Sequence, residues 1–355
     1  MRFKKDHKLM TFIAGICALN YGAQGQNVLT LQFSDRGSVQ IPDVGRARVG
    51  YPVCGPDGTI YITSMIDPNA SADTRLVSVA TDGKVVDYNV SKTQGLIKAF
   101  VRSTAADETG VYALVDALPD PGSPNFSDLR GKNQFLVHYD SIRKQQTLDG
   151  LSVDYSYQRI ASQSNGSLLA LRIQKSTGKL SMVSLNPDAA VLKMIAMKDE
   201  ILTSAEVDSF VAKLGMEGIE NAPPEGKMET AASPIQMQRI GGAVFLVKPG
   251  EDNRVYRIDE HGTASSIHLE TQAGVDPRSV FPGPELGLTM ITFGPGQRDA
   301  ALVRFDPLTG KRLSEIRVSG MPLTSSIYKH TNGYYGIRVE DVGATLMLGA
   351  MTGAN

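Results

Sequence analysis

The chain has 355 residues, with 36 Lys+Arg against 37 Asp+Glu, 41% hydrophobic residues, 35 Gly, 18 Pro, two Cys and no Trp. So even a charge balance leaves no electrostatic footprint for nucleic acid, and the apolar content is too high for a disordered chain. The length suits one large domain or two smaller ones, and Gly and Pro are too sparse for a collagen-like or low-complexity polymer.

The first element in chain order is a targeting segment. Residues 1–8, MRFKKDHK, form a basic head, and residues 9–19, LMTFIAGICAL, carry no charge. Such a run is too short to span a bilayer but fits the apolar core of a secretory signal. Ala23 and Gly25 stand at the −3 and −1 positions of a cut after Gly25. The pattern predicts a signal peptide over 1–25 and an exported protein, periplasmic or extracellular; an uncleaved anchor is the other reading. Ile16 stands where a lipoprotein site before Cys17 would need a small residue. Cleavage leaves 32 basic and 36 acidic residues, with Cys54 as the one cysteine. No intramolecular disulfide is then available, so the core must hold the fold by itself. No later apolar run is long enough to cross a bilayer as a helix.

From residue 27 onward the chain repeats. A turn signal followed by an apolar strand occurs six times. Asp57-Gly58 precedes TIYITS, Thr109-Gly110 precedes VYALVD, and Asn165-Gly166 precedes SLLALRI. Gly241-Gly242 precedes AVFLVK, Leu286-Gly287 precedes LTMITF, and Asn332-Gly333 precedes YYGIRV. A second strand follows each, often ending in Asp or Asn before another turn, as in QFLVHYD, RVYRIDEHG and ALVRFDPLTG. Further short strands flank these pairs, including KVVDYNV, AVLKMIAM and RLSEIRV. Four short strands per unit predict an all-β chain folded as a β-propeller of four-stranded antiparallel blades.

Six repeats predict six blades in a single domain over 26–355. The sixth unit runs out of chain after TLMLGAM. An N-terminal strand from NVLTLQF or SVQIPD is therefore expected to complete it and cover the raw sheet edge. A seventh blade is the alternative count, but residues 27–45 and the insertion hold too few strands for it.

One segment breaks the repeat. Residues 198–231, between the third and fourth blades, do not read as strand. Thr203 and Glu206 form a capping box, with Leu202 and Val207 as its hydrophobic staple. Val207, Phe210, Val211 and Leu214 recur at helical spacing, and Gly215 follows as a stop. One short amphipathic helix is expected, either as a lid packed over the channel or as a partner-binding surface.

The repeat form, G-x-φ-Y/F/L-x-φ followed by L-V-x-φ-D, resembles the six-bladed propellers of the NHL-repeat, TolB-like and SMP-30/lactonase-like groups over residues 27–350. The resemblance implies a fold and no particular function. The lactonase-like enzymes hold a divalent metal on Glu, Asn and Asp at the channel mouth, and those ligands find no match at positions here. DPLTGKRL (306–313) and KSTGKLSM (175–182) are similar to quinoprotein blades, which dock through a Trp that this chain lacks.

Blade topology sorts the loops onto two faces. The first-to-second and third-to-fourth turns are short. The other face holds the long segments 66–74, 117–133, 249–253 and 294–299 and the helical insertion, and a ligand or partner is expected there. Asp67, Asp73, Asp116, Asp120, Asp128, Asp252 and Asp299 lie on that face, with Arg130, Lys132 and Arg298. Carboxylates and loop carbonyls suit Ca²⁺ or Mg²⁺, so a divalent cation stays open. Turn chemistry accounts for the same residues more simply, and the sequence identifies no cofactor and no metal site.

Arg48, Lys98, Arg159, Arg239 and Arg278 fall one per blade ahead of the leading glycines, where they suit a small anionic ligand in the channel. Their unequal offsets preclude a single ring. The candidate ligand-binding residues are Asp116, Arg159, Arg239, Arg278 and His330. The histidines of the exported chain, His138, His261, His268 and His330, are scattered, and no G-x-S-x-G elbow, phosphate loop or H-E-x-x-H motif occurs. The sequence thus points to a non-catalytic binding module for an unknown protein or a small anionic ligand. A metal-assisted hydrolase of lactonase or esterase type is the alternative.

Overall fold

The computed structural model describes residues 29–41, 48–49, 53–65, 74–196, 235–247, 254–271, 276–279, 287–293, 300–319, 326–330, 333–339 and 344–352. The expected signal peptide and the stripe Val207, Phe210, Val211 and Leu214 lie outside the described residues.

Strand β1 (Thr30–Ile41) comes first. Strands β2 (Arg48–Val49), β3 (Val53–Cys54), β4 (Ile60–Met65), β5 (Thr74–Val79) and β6 (Val85–Asn89) make one sheet, in which β2 and β3 both pair with β4. The second sheet is β7 (Leu96–Ala106), β8 (Gly110–Pro119), β9 (Gln134–Asp140) and β10 (Gln145–Gly150). The third is β11 (Tyr155–Ser162), β12 (Leu168–Gln174), β13 (Leu180–Leu185) and β14 (Val191–Ile195). The fourth is β15 (Gln236–Ile240), β16 (Ala243–Val247), β17 (Arg254–Ile258) and β18 (Ala264–His268). The last strands are β19 (Asp276–Ser279), β20 (Leu288–Phe293), β21 (Ala300–Phe305), β22 (Arg312–Ser319), β23 (Ser326–His330), β24 (Gly333–Val339) and β25 (Ala344–Thr352). The chain is an all-β propeller of four-stranded antiparallel blades. Among the described residues its α-helix is one turn, Phe126–Leu129, and no helix is long and apolar enough to cross a membrane.

The six blades expected from the repeats are five among the described residues. β19 to β25 and β1 form one eight-stranded sheet, in the order β19-β20-β21-β22-β1-β25-β24-β23. The cause is β1. It pairs antiparallel with β25, from Thr30↔Thr352 to Ile41↔Ala344, beside TLMLGAM as the incomplete last unit requires. It also pairs in parallel with β22, from Thr30↔Arg317 to Gln32↔Ser319. A closing strand with partners on both edges fuses two repeat units that would otherwise stand apart.

The core lies between sheets. Tyr112, Leu114 and Leu136 of the second sheet pack with Tyr157, Ile160 and Leu168 of the third. The opposite face of the third sheet, with Leu169, Leu171 and Met182, packs on Met237, Val244 and Leu246 of the fourth. Phe245 and Val247 of the fourth meet Met290, Val303 and Phe305 of the fifth. Strands covered on both faces need apolar residues at successive positions, which is why Leu168 to Leu171 of β12 are all buried and the two-residue alternation fades.

Aspartates end third strands for a local reason. Asp140 accepts from the N–H groups of Ile142 (2.9 Å) and Arg143 (2.7 Å), and Asp306 accepts from those of Leu308 (2.9 Å) and Thr309 (2.7 Å). A short carboxylate reaching its own turn satisfies donors that the ladder has released. At the first turns, Asp57 takes the Thr59 N–H (3.0 Å), Asp107 the Thr109 N–H (2.8 Å) and Asn165 the Ser167 N–H (3.0 Å). Gly110 is fixed there by crowding, since a Cβ would lie 2.1 Å from the Tyr139 carbonyl oxygen.

Candidate functional site

β7, β11 and β15 are the inner strands of successive sheets, and hydrogen bonds tie them side by side. β7 carries an irregularity between Val101 and Ser103, and β11 one between Tyr157 and Arg159. Such bulges bend a strand and re-aim its side chains. Hydrogen bonds cross between the two strands beside them. Ser103 Oγ accepts from the Ile160 N–H at 3.1 Å, and Ser162 Oγ donates to the Ala106 carbonyl at 2.5 Å.

Two networks, one buried and one half-buried, lock the strands further. Arg159, 8% exposed, donates through Nε to the Ile235 carbonyl (2.8 Å) and through Nη1 to the carbonyls of Gln158 (2.7 Å) and Arg102 (3.4 Å). One guanidinium thus spans three sheets. Arg102 pairs with Asp116 through Nε (2.8 Å) and Nη2. Gln134 donates to the other Asp116 oxygen (2.7 Å) and to the Tyr157 carbonyl (3.0 Å), and accepts from the Tyr157 N–H (2.7 Å). This couples the second sheet to the third.

Above these braces, where β3, β7, β11 and β15 reach their first turns, lies a pocket of about 290 Å³. Val53, Cys54, Ala106, Ala161 and Met237 supply apolar wall. Gln238 and Arg239 supply polar groups from β15. Arg239 Nε donates to the Gly241 carbonyl at 3.1 Å. Its Nη1 is buried and has no hydrogen-bond partner. Glu108, in the β7–β8 turn, brings Oε1 to 3.7 Å from that nitrogen, within ion-pair reach but beyond a hydrogen bond.

The five candidate ligand residues therefore separate. Arg239 lines the pocket. Arg159 and Asp116 are engaged by partners within the protein and act as braces. Arg278 stands in β19 opposite Ile291, and His330 in β23 opposite Gly333; their side chains lie outside the described part of the structure. The pocket opens at the short-turn end, whereas the sequence pointed to the long-loop face. Of the loops on that face, 117–133 is described in full: Asp120 Oδ1 accepts from the Gly122 N–H within it (2.9 Å), and Lys132 Nζ ties it to the Gly150 carbonyl at the end of β10 (3.1 Å). Among the described residues no three His, Cys, Asp or Glu side chains gather as metal ligands. The sequence reading missed Glu108, Met237 and Gln238. Glu108 had one local sign, as the member of Asp107-Glu108-Thr109 that the turn does not use.

Titration behaviour gives little sign of activated chemistry. Burial pushes the Cys54 thiol up to about 12. Burial also holds His138 below its ordinary value, against the pull of Asp107 and Asp140. His138 stacks on Tyr112 at 4.0 Å, and its Nε2 lies 3.0 Å from Thr109 Oγ1.

No family model and no curated protein matches the chain. Among solved structures it is similar to a protein of unknown function from Bacteroides caccae, at 12% identity and a TM-score of 0.36, over 74% of this chain and 78% of that one. The WD40 domain of Toxoplasma gondii coronin gives 11% identity and a TM-score of 0.42, over 93% and 87% of the two chains. Trypanosoma rangeli sialidase gives 11% identity and 0.42, over 88% of this chain and 57% of that one. Likeness this remote leaves function to be argued from the chain's own residues.

Proposed function

We propose that the protein is a propeller-type binding module without chemistry of its own, and that its ligand seat is the pocket ringed by β3, β7, β11 and β15. The observation that carries this reading is the convergence of four sheets on one mostly apolar pocket with a few polar groups at its edge. Preformed concave sites of that composition suit small molecules. The braces at Arg159 and Arg102–Asp116 hold the walls in place before a ligand arrives, which reduces the ordering cost of binding. Catalysis finds little support in the described walls: the Cys54 thiol is strongly disfavoured as a thiolate, and the Ser162 hydroxyl is committed to the Ala106 carbonyl. No described group of residues favours the hydrolase alternative. With residues 1–25 read as a signal peptide, the module works outside the cytoplasm.

Filling the pocket tests this reading. Gln238 is half-buried at the pocket edge, so Gln238→Trp adds bulk there without opening the core. Melting temperatures are measured against a set of small organic acids, amines and neutral sugars. Compounds that raise the wild-type melting temperature are expected to leave Gln238→Trp unmoved. Equal shifts in both proteins, or a shift in neither, contradicts the reading.

A further inference from the structure

We infer that the pocket takes a small organic anion, a carboxylate on an apolar body, and that Glu108 is a built-in competitor which this carboxylate replaces at Arg239. The inference deepens the binding reading above and rests on it.

Arg239 is held in place by its own strand end, because Nε is tied to the Gly241 carbonyl. Its Nη1 is cut off from solvent and makes no hydrogen bond. A guanidinium nitrogen in that state calls for a charged acceptor at about 2.8 Å. Glu108 supplies charge at 3.7 Å and no bond. The two residues come from the second and fourth sheets, so their pairing reaches across the third.

Glu108 is also well suited to leave. Its side chain is 60% exposed, against 23% for Arg239. The turn N–H groups of Thr109 and Gly110 are taken by Asp107, so Glu108 can swing into water without loosening the turn. A pair with one solvated partner and no hydrogen bond contributes little, and a ligand that makes true hydrogen bonds displaces it readily. The walls decide the rest of the ligand. Val53, Ala106, Ala161 and Met237 offer apolar surface that a bare inorganic anion would leave uncovered. About 290 Å³ is at the small end for ligand pockets, which restricts the body to a short chain or a single ring.

Calorimetric titration of the exported chain tests this, with benzoate and hexanoate as probes, benzamide and hexanamide as their neutral counterparts, and inorganic phosphate as the bare anion. The acids are expected to bind at least tenfold more tightly than the amides and phosphate. Arg239→Met is expected to weaken the acids roughly tenfold or more, by loss of charge-assisted hydrogen bonds, and to leave the amides unchanged. Arg239→Lys covers the case of a poorly folded Met variant and should retain part of the preference for acids. Glu108→Gln is expected to tighten the acids roughly two- to fivefold. Amides that equal the acids, yet are lost in Gln238→Trp, overturn the anion inference and leave the pocket reading standing. Phosphate that equals the acids removes the apolar body. Unchanged or weaker acid binding in Glu108→Gln removes the competitor. Absence of binding by every probe overturns the inference, and the separate melting screen then decides the pocket reading.

Discussion

Asp140 and Asp306 show how much a single carboxylate does in this fold. The Arg143 and Ile142 N–H groups hold the Asp140 carboxyl below the usual carboxylate range, and those of Thr309 and Leu308 do the same for Asp306. Both folded values lie below the unfolded one, so their stabilisation is complete above the ordinary value of 3.8 and is lost as pH falls through the folded values. His138 adds an earlier limb. Burial favours its neutral form, so it loses stability once pH drops below 6.5 towards its folded value. Urea midpoints at pH 7, 5, 4 and 3 check this. The double variant Asp140→Asn, Asp306→Asn is expected to fall less steeply than wild type between pH 4 and 3, with the same change between 7 and 5. Parallel acid limbs in the two proteins would show that these carboxylates do not set acid stability. Such positions were legible in the sequence because a turn carboxylate acts within three residues of itself. Arg159 and Asp116 were not separable from Arg239 on that basis. Arg159 meets Ile235, 76 residues away, and Asp116 meets Arg102 across a bulge that no local pattern marks.

At the scale of elements, β1 has the largest effect for its length. Its pairing with β25 was readable from an incomplete last repeat. Its pairing with β22 was not, because a repeat records what each unit contains and not which units a closing strand will join. Removing residues 26–41 uncovers an edge on both β25 and β22, and unpaired edges invite association. The truncated protein is expected to aggregate or to unfold over a broad, non-cooperative range in a thermal melt monitored by light scattering. A monomeric product with the wild-type melting curve would mean that the two edges are covered by something other than β1. The inner strands show the same limit of local reading. The glycine-led turns located the start of each second strand, yet the bulges at Arg102 and Gln158, beside the bonds between β7 and β11, leave no periodic trace.

For the whole molecule, the question is which end of the propeller carries the site. Long loops drew attention to one face, since loops carry much of protein function. The pocket lies at the other end, built by strand ends from four sheets that no contiguous motif brings together. Amide hydrogen exchange measured by mass spectrometry, with and without saturating benzoate, tests this placement most directly. Exchange is expected to slow in peptides spanning 53–59, 104–110, 161–167 and 237–242, one stretch from each of four sheets, and to stay unchanged in 117–133. Protection confined to 117–133, or spread evenly over the chain, would contradict it.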